Sequence, residues 1–251
     1  MRILESVRSV REWRSAKNPR ETGFVPTMGA LHAGHLNLVE RARRDNDAVL
    51  ISIFVNPTQF NDAEDLRRYP RPLEKDLDLL RAAGADAVFL PQPSEIYADG
   101  FRFEVHEKEL SRILCGAKRP GHFEGVLTVV LKLLQITRPE RAYFGEKDFQ
   151  QLRLIQDMVN AFFLDVTVVP CPTVREEDGL AMSSRNLLLS PGERKIAPLL
   201  YEVLRTSSSA AKAKARLEEA GFRVDYVEDK WGRRFAAAFL GDVRLIDNVE
   251  L

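Results

Sequence analysis

Cysteine is nearly missing from this chain of 251 residues, where only Cys115 and Cys171 occur. Neither has a second set of metal-ligand residues around it, so neither a disulfide framework nor a zinc site is suggested and the two are read as reduced, structural thiols. An excess of charge of one sign is missing too, since 37 basic residues meet 37 acidic ones. No broad field draws in nucleic acid or an anionic membrane, and any anion must be held locally. No apolar run approaches the length of a membrane span, and the start Met1-Arg2-Ile3-Leu4-Glu5-Ser6 lacks the apolar stretch and cleavage site of a secretory leader. The expectation is a cytoplasmic protein with neither nucleic-acid nor membrane partners. Internal repeats are lacking as well, and the one biased stretch, Ser/Ala/Lys-rich at 207–215, reads as an exposed linker and helix start.

What is present suits an ordinary globular protein: 45% hydrophobic and 29% charged residues, enough chain for one sizeable core or two modest domains. Short, continuously apolar runs at Thr22 to Val25, Ala48 to Val55, Asp86 to Leu90, Arg141 to Phe144 and Val166 to Val169 read as strands. They alternate with helical spacing at Leu36 to Ala42, Leu73 to Ala83, Val126 to Gln135 and Phe149 to Ala161. That rhythm predicts an α/β fold with a parallel sheet covered on both faces, whose ligands collect beyond the carboxyl ends of the strands. After Pro172 the pattern changes to a polar loop, Arg175 to Asn186, and a capped helix start at Ser190-Pro191-Gly192-Glu193. A linker at Thr206 to Ser209, a helix at Lys212 to Ala220, and short strands at Phe222 to Val227, Arg234 to Leu240 and Val243 to Ile246 follow. Two domains are expected, 1–172 and a smaller α+β unit at 173–251.

The most informative segment runs from Pro26 to His35, where His32 and His35 stand three apart between the first strand and the first helix. Free backbone N–H groups and the positive pole of the helix favour an anion there, and Gly29 and Gly34 let phosphate oxygens approach the main chain. For an isolated His-x-x-His the plainer reading is a pair of helix-capping turn residues. Gly145-Glu146-Lys147-Asp148 also joins a strand to a helix, so that its amides and Lys147 suit polyphosphate and Asp148 suits ribose hydroxyls; a solvated first turn is the plainer alternative. Met182-Ser183-Ser184-Arg185-Asn186, in the polar loop, offers two hydroxyls and a fixed cation, although such strings are more often ordinary connections. Gln59 and Gln151 sit near strand ends and suit a small polar substrate, because an amide both donates and accepts. Asp76, two residues after Glu74, is a candidate metal-facing carboxylate, set against a charged helix face. His122, in Arg119-Pro120-Gly121-His122-Phe123, reads as structural and His106 as a strand or surface residue.

Taken in order, Pro26 to His35, Ser52 to Phe60, Tyr69-Pro70-Arg71, Arg119 to Phe123, Phe144 to Gln151 and Met182 to Asn186 resemble the pantoate-beta-alanine ligase (pantothenate synthetase) family. The two-histidine turn is similar to the HIGH signature of adenylating nucleotidyltransferases, and Met182 to Arg185 to their KMSKS segment. The resemblance implies a Rossmann-like parallel sheet of the HIGH-motif nucleotidyltransferase type with a smaller C-terminal α+β domain. It implies that pantoate attacks ATP to give a pantoyl adenylate and pyrophosphate, and that beta-alanine then displaces AMP. It further implies an ATP site lined by Met28, Gly29, Ala30, Leu31, His32, Ala33, Gly34, His35, Gly145, Glu146, Lys147, Asp148, Val174, Met182, Ser183, Ser184 and Arg185. Catalysis would fall to His35, which the family labels a proton donor, with His32, Lys147, Ser183, Ser184 and Arg185; Gln59 and Gln151 would hold pantoate, with Gln59 also near beta-alanine. Magnesium accompanying ATP, and a homodimer, are implied as well. After Leu204 the chain is shorter than the family pattern. A transferase placing AMP on a phosphorylated substrate, and a non-catalytic ATP sensor, are the competing readings; the first calls for additional cations, and the second leaves the two glutamines without a role.

Overall fold

A computed structural model describes residues 1–17 and 21–251. Among them, six strands form one sheet: β1 (Arg2–Leu4), β2 (Thr22–Thr27), β3 (Ala48–Ile53), β4 (Ala87–Phe89), β5 (Arg141–Gly145) and β6 (Thr167–Cys171), in the order β1-β4-β3-β2-β5-β6. Every pairing is parallel, as expected for apolar runs separated by helical crossovers. The central strands are sealed on both faces: Phe24, Val25, Leu50 and Ile51 have no exposed surface. One face packs under Ala33–Asp45 and Leu73–Ala82, the other under His122–Thr137 and Phe149–Ala161.

The chain order reverses at β2, which lies between β3 and β5. There β2 and β5 pair only through Gly23 with Arg141 and Phe24 with Ala142. Beyond that point Pro26 has no N–H to donate and the ladder ends, leaving the carboxyl ends of the two strands unpaired with each other. Those ends border the crevice described below.

β7 (Arg223–Lys230), β8 (Arg233–Leu240) and β9 (Val243–Glu250) form a separate antiparallel sheet. Its alternation sends Ala236 and Ala238 toward the helices Leu199–Thr206 and Ala210–Glu219, and Phe235 and Ala237 toward the core of the first sheet. These strands run further than their apolar pattern predicts. Cross-strand charges extend them, with Asp229 opposite Arg234 and Arg233 opposite Glu250. Strand β1 and the helix Val7–Lys17 escape the sequence reading, the strand because three residues with one buried side chain, Leu4, carry no periodic signal. Among the described residues no helix is long and apolar enough to cross a membrane.

Candidate active site

Three segments implicated by sequence leave the carboxyl ends of three adjacent strands: the histidine turn after β2, Asn56 to Gln59 after β3, and Gly145 to Asp148 after β5. They border one crevice of about 890 Å³, within the usual range for a small-molecule site.

The turn is built around two successive left-handed residues, Gly29 at φ 81° and Ala30 at φ 50°. Ala30 carries a steric cost that its surroundings must offset. The offset comes from Asp76, 1% exposed, whose Oδ2 accepts from the Ala30 N–H at 2.8 Å and Oδ1 from the Leu31 N–H at 2.8 Å. Asp76 is therefore no part of a charged surface: it is buried, and each of its oxygens accepts from the turn.

His32 is the N-cap of the helix Ala33–Asp45, its Nδ1 accepting from the Gly34 N–H at 3.1 Å, while the His35 Nδ1 accepts from the His32 N–H at 3.4 Å. Capping uses one nitrogen of each ring and leaves the other. A neutral imidazole whose Nδ1 accepts must carry its proton on Nε2, so each ring keeps one donor for the crevice it borders. The rings lie 4.0 Å apart between centroids. Burial lowers His35 to about 3, assisted by His32 and the Lys147 ammonium, and burial with Lys147 lowers His32 to about 4. Gly34 allows this close fit, since a Cβ there would stand 2.8 Å from the His32 ring.

The Met182 to Asn186 segment meets the turn directly: the Ser184 hydroxyl, buried, donates to the Ala30 carbonyl at 3.1 Å. Ser184 is thus tied to the main chain of the turn, which departs from the expectation of a hydroxyl free for phosphate. Ser183 accepts from the Arg185 N–H at 3.2 Å and caps the short turn that follows. Lys147 and Asp148 pair at 3.6 Å on the crevice wall, and Glu146 turns to Arg233 at 3.5 Å.

Met28, Gln59, Gln151 and Val174 also line the crevice. Gln59 is held at both ends of its amide: Nε2 donates to the Met28 sulfur at 3.2 Å and Oε1 accepts from Asn56 at 3.2 Å. Its carbonyl accepts from His122 Nδ1 at 2.8 Å and Arg119 at 3.2 Å. His122, which also borders the crevice, is lowered to about 3 by burial beside the Arg119 guanidinium. Gly125 lets the helix His122–Thr137 touch this turn, because a Cβ there would lie 2.6 Å from the Thr58 carbonyl oxygen. Asn56, 1% exposed and receiving the Tyr97 hydroxyl at 2.6 Å, is named by the sequence only within its segment and given no role of its own. Its position between a strand end and a proline is the signal that was there to find.

The structure thus brings Met28, His32, Gly34, His35, Gln59, Gly145, Lys147, Asp148, Gln151, Val174, Met182, Ser183, Ser184 and Arg185 together. Gly29, Ala30 and Leu31, all buried, form the wall behind the histidines, and Ala33 opens the helix on its exposed side. Gln150 points inward instead, accepting from the Cys115 N–H at 3.0 Å.

Three imidazoles, those of His32, His35 and His122, are neutral in the folded chain with lowered values, yet ordinary at about 6.5 when unfolded. The unfolded state therefore binds more protons below pH 6.5, and stability present above that pH is withdrawn as pH falls toward 3. The urea midpoint is expected to fall between pH 7 and pH 5, above the range where carboxylates titrate. A midpoint constant over that interval would show that the histidines are not held neutral.

A family profile described as pantoate-beta-alanine ligase matches residues 2–250. The chain is 55% identical over 249 residues to a protein of Bdellovibrio bacteriovorus named pantothenate synthetase, covering 99% of each. It superposes on a crystal structure of the pantoate-beta-alanine ligase from Francisella tularensis complexed with beta-gamma ATP and beta-alanine, at a TM-score of 0.95 and 43% identity, covering 100% of this chain and 97% of that one. A pantothenate synthetase structure from Thermus thermophilus gives a TM-score of 0.90 and 46% identity, with coverage of 100% and 99%.

Proposed function

The chain belongs to the pantoate-beta-alanine ligase family, and from that premise we infer that it condenses pantoate with beta-alanine at the expense of ATP. The products are pantothenate, AMP and pyrophosphate, formed through a pantoyl adenylate. The observation that carries the site assignment is the 3.1 Å bond from Ser184 to Ala30, which joins the serine-arginine segment to the histidine turn on one crevice.

In the first half-reaction a pantoate carboxylate oxygen attacks the α-phosphorus of ATP and the bond to the β-phosphate oxygen breaks. The step needs positioning and neutralisation of charge, with no protein nucleophile. The Nε2–H groups of His32 and His35 donate toward phosphate oxygens, while Lys147 and Arg185 supply positive charge. Burial and Lys147 lower His32 to about 4 and His35 to about 3 before ATP binds, so each ring meets the phosphates as a neutral hydrogen-bond donor. Gln59 and Gln151 orient pantoate. In the second half-reaction the neutral amine of beta-alanine attacks the acyl carbon, loses a proton and expels AMP. The unit 173–251 serves as a lid that keeps water from the mixed anhydride.

Magnesium would ride on the phosphates with water completing its shell, the arrangement usual for this ion. That suits a crevice where, among the described residues, no three His, Cys, Asp or Glu side chains gather as a ligand set. A homodimer belongs to the same reading, supported by the apolar surface of Phe101 and Phe103, 51% and 71% exposed. So does the cytoplasm, where the free thiols Cys115 and Cys171 stay reduced.

Incubation with ATP, magnesium, D-pantoate and beta-alanine is expected to give AMP, pyrophosphate and pantothenate in equal amounts. AMP formed without pantoate would overturn the ligase reading in favour of a transferase or hydrolase. Gln151→Ala should raise the KM for pantoate and leave that for ATP unchanged; an unaltered pantoate dependence removes Gln151 from the site.

A further inference from the structure

The loop that carries Lys147 is not held by its own sheet alone. Asn248, on β9 and 2% exposed, donates from Nδ2 to the carbonyls of Glu146 at 2.9 Å and Lys147 at 3.1 Å. Its Oδ1 accepts from Arg233 Nε at 2.8 Å, so every polar atom of the buried amide is used. Arg233 is itself fixed, its guanidinium 4.6 Å from the Phe149 ring and 3.5 Å from the Glu146 carboxylate. A buried amide donating to two consecutive carbonyls fixes the backbone of a short loop and hence the root of the side chain it carries.

The adjacent residue performs the same service for the opposite wall. Asp247, 3% exposed, takes both arms of the Arg175 guanidinium at 2.6 and 3.0 Å, and Arg175 also donates to the Gly179 carbonyl at 3.1 Å. Arg175 follows Val174, whose carbonyl accepts from the Met182 N–H at 3.0 Å. Two neighbouring residues of the last strand therefore grip two of the loops that border the crevice.

We propose that Asn248 is a positioning residue for the first half-reaction, through which the C-terminal sheet fixes Lys147 against the ATP phosphates. This rests on reading Lys147 as a phosphate contact. Asn248 touches neither substrate; its effect passes through the Glu146 and Lys147 carbonyls. The dependence is selective, because Gln59 is held by Met28 and Asn56, Gln151 sits inside the helix Phe149–Ala161 beyond the two gripped carbonyls, and the second half-reaction no longer uses the polyphosphate.

The test is Asn248→Asp, which keeps the acceptor for Arg233 and sets an oxygen against the two carbonyls, with Asn248→Ala carrying the same measurements should the aspartate variant fail to fold. Loss of two hydrogen bonds is expected to raise the KM for ATP by about tenfold or more, with the KM for pantoate unchanged. The rate at which synthetic pantoyl adenylate and beta-alanine give pantothenate should match the parent. In a Lys147→Ala background the effect of Asn248→Asp should vanish, since the two act in series. An equal loss with ATP, pantoate and the synthetic adenylate, or a loss that adds in full to that of Lys147→Ala, would overturn the proposal and leave Asn248 a structural residue. If Lys147→Ala alone leaves the KM for ATP unaltered, it is the assignment of Lys147 that fails.

Discussion

His35→Ala is expected to slow pantoate-dependent pyrophosphate release by a factor on the order of a hundred or more, the scale of losing one donor aimed at transition-state charge. The fold should survive, because the bond lost from His35 is the long one, 3.4 Å, from the His32 N–H. A second substitution separates capping from chemistry. His35→Asn retains a short acceptor for the amide but lacks the distal N–H, so it should be as slow as the alanine variant while matching the parent in urea. Normal activity in His35→Asn, or recovery of His35→Ala on restabilisation, would assign the ring to architecture alone. The pH profile adds a check: with His35 near 3, the parent should show no activity limb from this residue between pH 6 and 8.

The second large effect is expected at Asp76. Removing the carboxylate leaves the Ala30 and Leu31 N–H groups buried without partners, and Ala30 loses what holds it left-handed. Hydrogen bonds to a charged group are each worth about 1.5–3 kcal/mol, so Asp76→Ala should cost about that much stability or more. Adenylation should fall with it, because the shifted turn takes both imidazoles along. Asp76→Asn, of nearly the same shape, should lose less. Excess magnesium discriminates between this account and a metal-binding one. Activity that returns as magnesium is raised would restore Asp76 to the metal; activity indifferent to magnesium, with a lowered urea midpoint, supports the turn.

The sheet was legible because its strands are continuously apolar and its crossovers carry helical spacing, and both signals are local. The strand ends and the loops after them followed, which put the histidine turn, Gln59 and Lys147 on one edge. The supports of these residues were not legible. Nothing near Asp76 in sequence announces that its carboxylate reaches back to Ala30, and Asn248 lies about a hundred positions from the carbonyls it grips. The charged extensions of β7 to β9 were missed for a related reason, since ion pairing across strands has no period along one of them. His32 shows the limit of choosing between alternatives, as capping and anion binding are not rivals: the cap occupies Nδ1 and leaves Nε2 for the crevice.

That division of labour within the ring has a bearing on inhibitor chemistry. With each Nδ1 occupied by a main-chain amide, neither imidazole is free to exchange tautomers, so this corner offers protons and takes none. Sulfonyl, phosphonate or carbonyl oxygens match it; an amine or amidine placed there would confront two like-facing dipoles and forfeit affinity, however well its shape fitted.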